Sequence, residues 1–177
     1  LAAVWDLPVI FLVENNGYGL STPSKDQFRC AHIADKGIGY GIESKTIDGN
    51  NILEVYTEIS RIAADLRQNP RPFLLECKTF RMRGHEEASG TKYYPEGLIE
   101  SWQAKDPVVR YRQAVLDAGS ASESDLKTLE DSLAAEVLNS LNQALEEPKP
   151  EYREEDELHD VYAPVPTGPT NEVPPSS

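Results

Sequence analysis

Apolar residues in this chain fall into runs and stripes whose period changes several times. Pro8 to Val13 is a nearly unbroken apolar run, rich in β-branched and aromatic side chains. It predicts a strand over Pro8–Glu14, buried on both faces as in a parallel sheet. Leu1–Asp6 before it reads as the end of a helix. Ser24–Gly37 reads as a short helix or helical loop, with Ile33 and Ala34 packed inward and His32 outward or capping. Glu43–Ile47 alternates in polarity, as a short strand does. Asp48-Gly49-Asn50-Asn51 then turns, and Asn51 with Glu54 forms a capping box in amide form. From Ile52 to Gln68 the apolar positions 52, 55, 56, 59, 62, 63 and 66 recur at helical spacing. Asn69-Pro70 ends that helix, and Pro72–Lys78 is a third strand with a hydrophobic centre. Strand, helix and strand at this spacing make a βαβ unit of right-handed crossover.

Phe80 to Leu98 carries no sustained period, and an irregular loop of this length is usually functional or disordered. Ile99 and Trp102 mark a helical turn. Asp106-Pro107 is a helix start, with an N-cap and then Pro at the first position. Val108, Tyr111, Val115 and Leu116 share one face of that helix, and Gly119 closes it. Ser122 with Asp125 opens the next helix. Its stripe of Leu126, Leu129, Leu133, Val137, Leu141 and Leu145 reads as core or subunit contact, ending at Pro148. The pattern predicts an α/β fold, part of a doubly wound parallel sheet followed by C-terminal helices. Residues 1–148 form one domain and 149–177 an acidic, Pro-rich linker or tail. Glu146 to Asp160 holds eight acidic residues against two basic ones, and the last residues are rich in Pro, Ser and Thr. Such a segment is extended and buries little area.

Composition narrows the function. A net charge of −13 argues against nucleic acid or a membrane surface as partner. No apolar run approaches the ~18 residues of a membrane span, and Leu1–Val13 lacks the basic region and cleavage site of a signal peptide. Cys30 and Cys77 fall in unrelated segments, which points to reduced thiols and a cytoplasmic setting. Cys77 sits in a predicted buried strand, where a thiol packs as a small hydrophobe.

The candidate chemistry lies where two predicted strands end. After the first comes Glu14-Asn15-Asn16-Gly17-Tyr18-Gly19, a turn rich in residues that accept left-handed backbone. Ligands of open α/β sheets bind at the carboxyl ends of strands. Side-chain amides and turn carbonyls are hard oxygen donors of the kind Mg²⁺ accepts. Alone, Asn-Asn-Gly reads more simply as a turn. Gly37, Gly39 and Gly41 likewise suit a helix C-cap better than a phosphate loop, because no strand precedes them.

ENNGYGLSTP resembles the second half of the thiamine-diphosphate motif in α subunits of the 2-oxo acid dehydrogenase family. The resemblance makes Asn16 a metal ligand through its side-chain oxygen and Tyr18 a ligand through its carbonyl. The family's Gly-Asp-Gly lies about thirty residues earlier. Only fourteen residues precede Asn15 here and none reads Gly-Asp-Gly, so the chain is expected to be a fragment beginning just after that half. KTFRMRGH, Lys78 to His85, resembles the family's Thr-aromatic-Arg-x-x-Gly-His sequence. It implies that His85 lies beside the cofactor and acts in acyl transfer, with Arg81 and Tyr94 anchoring the loop. An imidazole titrates near neutrality and, when protonated, bonds anionic oxygens; a plain hydrogen-bonding role for His85 stays open. Mitochondrial members place a phosphorylatable Ser after the His. Here Glu86 stands there, which predicts no phosphorylation control of this loop. The family's loop Asp matches Ser89 and its later Arg matches Pro95, so loop ordering falls to other contacts, Lys92, Glu86 and Glu87 being candidates.

The resemblance covers roughly Leu1 to Leu145 and implies the thiamine-diphosphate-binding fold of pyrophosphate-binding type. The implied enzyme oxidatively decarboxylates a 2-oxo acid on thiamine diphosphate with Mg²⁺ and passes the acyl group to a lipoyl domain. A β subunit, or a β region of the same chain, completes the site in an oligomer. The RGHEEASGTKY loop and the fusion-like tail are similar to single-chain 2-oxoisovalerate dehydrogenases, so the expected substrate is branched-chain. Pyruvate or acetoin dehydrogenase and a transketolase relative are alternatives, as is a non-enzymatic acidic binding module. The fragment alone is expected to be inactive and to bind the cofactor feebly.

Overall fold

The computed structural model describes residues 1–86, 88 and 90–163. The chain divides into two compact units, Leu1–Asp125 and Leu126–Ser177. In the first, β1 (Ile10–Asn15), β5 (Phe73–Lys78) and β4 (Glu43–Asp48) form a parallel sheet in the order β1-β5-β4. β1 and β5 run in register from Ile10↔Phe73 to Asn15↔Lys78, and β4 and β5 from Glu43↔Phe73 to Asp48↔Lys78. All three strands therefore end at one edge. The expected α/β parallel sheet is present.

α2 (Ile52–Gln68) connects β4 to β5. The Asn51 side chain caps it by accepting from the Glu54 N–H at 3.4 Å. Ile62 and Leu66 of α2 pack with Ile47, Phe73, Leu75 and Cys77 to form the core. Alternation along β5 turns Phe73, Leu75 and Cys77 to that face. Glu76 takes the opposite face, where the 3₁₀ turn Ile33–Asp35 donates the Ala34 N–H to its carboxylate. This turn runs into α1 (Lys36–Tyr40), which Gly41 closes at φ +67° in the expected C-cap. At the head of the 3₁₀ turn the His32 N–H donates to Asp35, the capping position foreseen for that histidine.

Several expectations are corrected. β1 is not buried on both faces: it lies at the edge of the sheet, and Phe11 and Leu12 are exposed. The strand buried on both faces is β5: α2 covers its Phe73, Leu75 and Cys77 face and the 3₁₀ turn at Ala34 covers its Glu76 face. Leu1–Asp6 is a single helical turn that ends as expected: the Trp5 N–H donates to the Leu1 carbonyl, the Leu7 N–H reaches back to the Ala2 carbonyl, and Asp6 takes the left-handed C-cap position at φ +49°. Between β1 and α1 lies a small hairpin, β2 (Tyr18–Gly19) with β3 (Thr22–Pro23), followed by a 3₁₀ turn at Ser24–Asp26.

α3 (Leu98–Gln103) and α4 (Pro107–Asp117) complete the first unit. Asp106 caps α4 by accepting from the Val108 and Val109 N–H groups. Along the face shared by Val108, Tyr111, Val115 and Leu116, the first two are exposed and the last two half-buried. Arg110 reaches inward to Asp48 at 2.9 Å and to the Asn50 carbonyl at 3.2 Å.

The predicted helix after Ser122 is present as α5 (Glu123–Glu146). Leu129, Leu133, Val137, Leu141 and Leu145 are exposed, so the stripe forms no core here. The acidic segment is not wholly extended, since α6 spans Glu154–His159. Four acidic residues in its first turn and a histidine in its last suit the helix dipole. No helix among the described residues is long and apolar enough to cross a membrane.

Candidate functional site

β1 and β5 deliver two chain segments to the same sheet edge. Asn15, the last residue of β1, is 8% exposed. Its side-chain NH₂ donates to Glu76 at 2.6 Å and its Oδ1 accepts from the Gly17 N–H at 3.0 Å. Asn16 forms a second such turn, its Oδ1 accepting from the Tyr18 N–H at 2.9 Å. Gly17, at φ +81°, is the left-handed residue that lets the two turns follow one another. The main-chain carbonyl of Asn15 accepts from Thr79 N–H, which joins the two segments as they leave the sheet.

Asn15, Asn16, Tyr18, Lys25, Arg29 and Lys78 are among the residues lining a cavity of about 580 Å³ at this edge. Three cations around one cavity stand out in a chain of charge −13. Lys78 is paired with Glu76 at 2.7 Å. Phe80 and Trp102 form another part of the wall, stacked at 5.4 Å.

The second segment turns on Arg81. Its guanidinium donates to the Leu20 carbonyl at 2.7 Å, to the Tyr93 hydroxyl at 3.0 Å and to the Arg83 carbonyl at 3.3 Å. The Tyr94 hydroxyl in turn donates to the Arg81 carbonyl at 2.9 Å. Burial, then the neighbouring Tyr93 hydroxyl, pushes the Tyr94 phenol up to about 12, so it stays a donor at neutral pH. Tyr18 packs edge-on against Tyr94 at 4.8 Å and tilted on Tyr93 at 5.9 Å. The Asn16–Tyr18 turn and the loop thus share an aromatic cluster.

His85 lies 3.1 Å from Arg81 through Nδ1. A guanidinium only donates, so Nδ1 is the acceptor of this contact and Nε2 is the ring nitrogen left to donate. It lines a separate cavity of about 480 Å³ with Leu20, Glu86, Lys92 and Tyr93. Asn16 and His85 leave the same edge, and among the described residues Asn16 lines the first cavity and His85 the second; Tyr18 of the one touches Tyr93 of the other. Among the described residues, Arg81, Tyr93 and Tyr94 supply the loop contacts just given. Glu87 and Ser89 lie outside the described residues.

Glu76, Lys25, Arg29 and Tyr93 escaped the sequence reading. Glu76 left a signal, a carboxylate between Leu75 and Cys77 in an otherwise apolar strand, since buried charges are rare unless paired. Lys25 and Arg29 left none, because their place depends on how the irregular segment folds back.

Asn16 and Tyr18 offer two neutral oxygens suited to a hard divalent cation. The residue paired opposite Tyr18 is Pro23, which has no N–H to give to the Tyr18 carbonyl. Asn16 Oδ1 retains a second lone pair beside its bond to Tyr18 N–H. Among the described residues no three His, Cys, Asp or Glu side chains gather into a metal site. These two oxygens thus fit part of a coordination shell, with the charged ligand to come from elsewhere.

Comparison with known proteins supplies the wider frame. Residues 1–153 match the family described as Dehydrogenase E1 component. The pyruvate dehydrogenase E1 component subunit alpha of Rickettsia prowazekii is 33% identical over 164 residues, covering 92% of this chain and 49% of that protein. The alpha subunit of the acetoin:2,6-dichlorophenolindophenol oxidoreductase of Cupriavidus necator is 36% identical over 163 residues, covering 92% and 48%. The mitochondrial 2-oxoisovalerate dehydrogenase subunit alpha 2 of Arabidopsis thaliana is 34% identical over 180 residues, covering 100% of this chain and 36% of that protein. The chain spans about half the length of the first of these relatives, or less. With a parallel sheet that gathers its polar residues at one edge, and a family match over most of its length, the chain belongs to the dehydrogenase E1 component family.

Proposed function

We propose that this chain is part of the decarboxylating component of a 2-oxo acid dehydrogenase, and that it contributes half of a Mg²⁺–thiamine diphosphate site. The observation that carries this reading is the delivery of Asn16 and Tyr18 by β1, and of Arg81 and His85 by β5, to one sheet edge. When bound, thiamine diphosphate supplies the carbanion chemistry of decarboxylation. Asn16 Oδ1 and the Tyr18 carbonyl hold the metal. Lys25 and Arg29 place positive charge along the cavity wall that an anionic cofactor or 2-oxo acid enters. Arg81 fixes the loop and the tautomer of His85, whose Nε2–H donates to the oxygen of the group being transferred. Tyr94 anchors the loop through the Arg81 carbonyl.

The acyl acceptor is a lipoyl domain, and a β subunit or β region completes the site. A branched-chain 2-oxo acid is the favoured substrate. The branched-chain relative aligns over the whole chain, tail included, whereas the pyruvate and acetoin relatives cover 92% of it. Residues 149–177 then act as a joint or tail; 164–177 lie outside the described residues. Both cysteines are free thiols, in keeping with a reducing cytoplasm.

The test uses the full-length protein with its β partner. Oxidation of 2-oxoisovalerate, pyruvate and acetoin is measured for the wild type and for Asn16→Ala. The reading expects 2-oxoisovalerate to have the highest kcat/KM and Asn16→Ala to abolish Mg²⁺-dependent turnover. Undiminished turnover in Asn16→Ala removes the site; preference for pyruvate or acetoin removes the branched-chain assignment alone.

A further inference from the structure

Glu76 has no solvent exposure and lies on the sheet face opposite the apolar core. Four groups converge on its carboxylate. The Asn15 amide donates to one oxygen at 2.6 Å, and the Lys78 ammonium meets the same oxygen at 2.7 Å. The Ala34 N–H and the Thr46 hydroxyl donate to the other, each at 3.0 Å. These partners come from the ends of β1 and β5, the middle of β4, and the 3₁₀ turn before α1. A buried ion pair is weak evidence for stability, because apolar residues of similar volume often do as well. What an apolar residue cannot do is choose which way an amide points.

A carboxylate only accepts. Facing Glu76, Asn15 must therefore present its NH₂ and turn its Oδ1 away. That oxygen accepts the Gly17 N–H and sets the turn from which Asn16 and Tyr18 project. Resting on the functional reading above, we propose that Glu76 is a positioning residue: its acceptor-only carboxylate fixes the Asn15 amide and, through it, the Asn16 and Tyr18 oxygens that take the divalent cation. Glu76 itself does not touch the metal.

The geometry predicts what Gln does at this position. The Ala34 N–H is fixed backbone, so the Gln oxygen stays on that side and its NH₂ faces Asn15. Asn15 then flips to offer its oxygen, which leaves its own NH₂ against the Gly17 N–H. Two donors face each other and the turn opens. Exchanging the groups, Glu76→Gln with Asn15→Asp, restores the pattern at the turn: the Gln NH₂ donates to one Asp oxygen and Gly17 N–H to the other, while the Lys78 ammonium, which met the replaced oxygen, turns to the Asp carboxylate.

The experiment measures Mn²⁺ binding to the full-length protein with its β partner and thiamine diphosphate, by the loss of the free-Mn²⁺ paramagnetic resonance signal, alongside melting temperature. Glu76→Gln is expected to weaken Mn²⁺ binding by about tenfold or more, the usual effect of removing a residue that orients a ligand. Asn15→Asp alone, which sets two carboxylates face to face, also weakens it, and the double variant recovers most of the loss. Thr46→Val takes one partner from Glu76 without touching Asn15; it lowers the melting temperature and leaves Mn²⁺ affinity intact. A merely structural Glu76 would lower melting temperature in all variants and give no rescue.

Wild-type affinity in Glu76→Gln, or a double variant as weak as Glu76→Gln, overturns the proposal. Should Glu76→Gln not fold, wild-type affinity in Asn15→Asp overturns it, and a double variant that folds and binds supports it. Asn16→Ala separates the two readings: if it binds Mn²⁺ normally, the metal site itself is wrong. If it has lost Mn²⁺ while Glu76→Gln has not, only the positioning role is.

Discussion

Replacing Glu76 by Gln also bears on folding. Burial pushes this carboxyl up, but the Ala34 N–H, the Asn15 amide, the Lys78 ammonium and the Thr46 hydroxyl outweigh burial and hold it at about 2 against an ordinary 4.5. The native state therefore favours the ionised form. That stabilisation is complete above the ordinary value and is lost as pH falls through the folded one. Moving from 4.5 to about 2 corresponds to about 3 kcal/mol, of which about 2 kcal/mol is gone by pH 3. Native-state hydrogen exchange at the β5 amides of Leu75 and Cys77, in wild type and Glu76→Gln, reads this directly. Intrinsic exchange rates cancel between variants compared at one pH. The wild-type advantage in opening free energy is expected to shrink by about 2 kcal/mol between pH 7 and pH 3. An advantage that stays constant over that range would refute the reasoning, because the carboxylate would then contribute no ionisation-linked stability.

Gly49 lies where β4 and β5 end side by side, and a Cβ there would come within 2.7 Å of Thr79 Cγ2 and 2.8 Å of the Lys78 carbonyl. Gly49→Ala is expected to cost about 1–3 kcal/mol by overpacking, whereas Gly39→Ala, with nothing within 4 Å, costs nothing measurable in the same thermal melts. Arg110→Ala removes the ion pair with Asp48, whose carboxyl burial raises and Arg110 lowers, to a net position below the usual range. Both side chains are over a third exposed, so the loss is expected to stay under about 1 kcal/mol and to shrink further at about 1 M salt; a larger, salt-independent loss in urea titrations would contradict this. Glu86 follows His85 where a switchable hydroxyl would be needed. Incubation with kinase and ATP is expected to leave activity unchanged, against which a phosphopeptide at Thr91 or Ser89 with loss of activity would count.

The parts legible in the sequence were those governed by local period and caps. The α2 stripe, its Asn51 cap, the Asp106-Pro107 start and the Gly41 turn all follow from neighbouring residues. β1 misled because a continuous apolar run does not say whether other elements cover both faces of the strand, and here Phe11 and Leu12 stand exposed. The α5 stripe reads as core or subunit contact, and its exposure leaves only the second: periodicity reports an apolar face, not the surface that meets it. At the site, Asn16, Tyr18, Arg81, His85 and Tyr94 were legible as motif residues. Their arrangement was not, since the Arg81–Leu20 and Tyr18–Tyr94 contacts join residues more than sixty positions apart. Glu76 is the instructive omission, because its meaning comes from partners on four separate segments.

The most direct test of the account is a crystal structure of the full-length protein with its β partner, thiamine diphosphate and Mg²⁺. Asn16 Oδ1 and the Tyr18 carbonyl are each expected at about 2.1 Å from the metal, with Asn15 still held by Glu76. A metal bound elsewhere, with Asn16 bonded to nothing but the Tyr18 N–H, would contradict it.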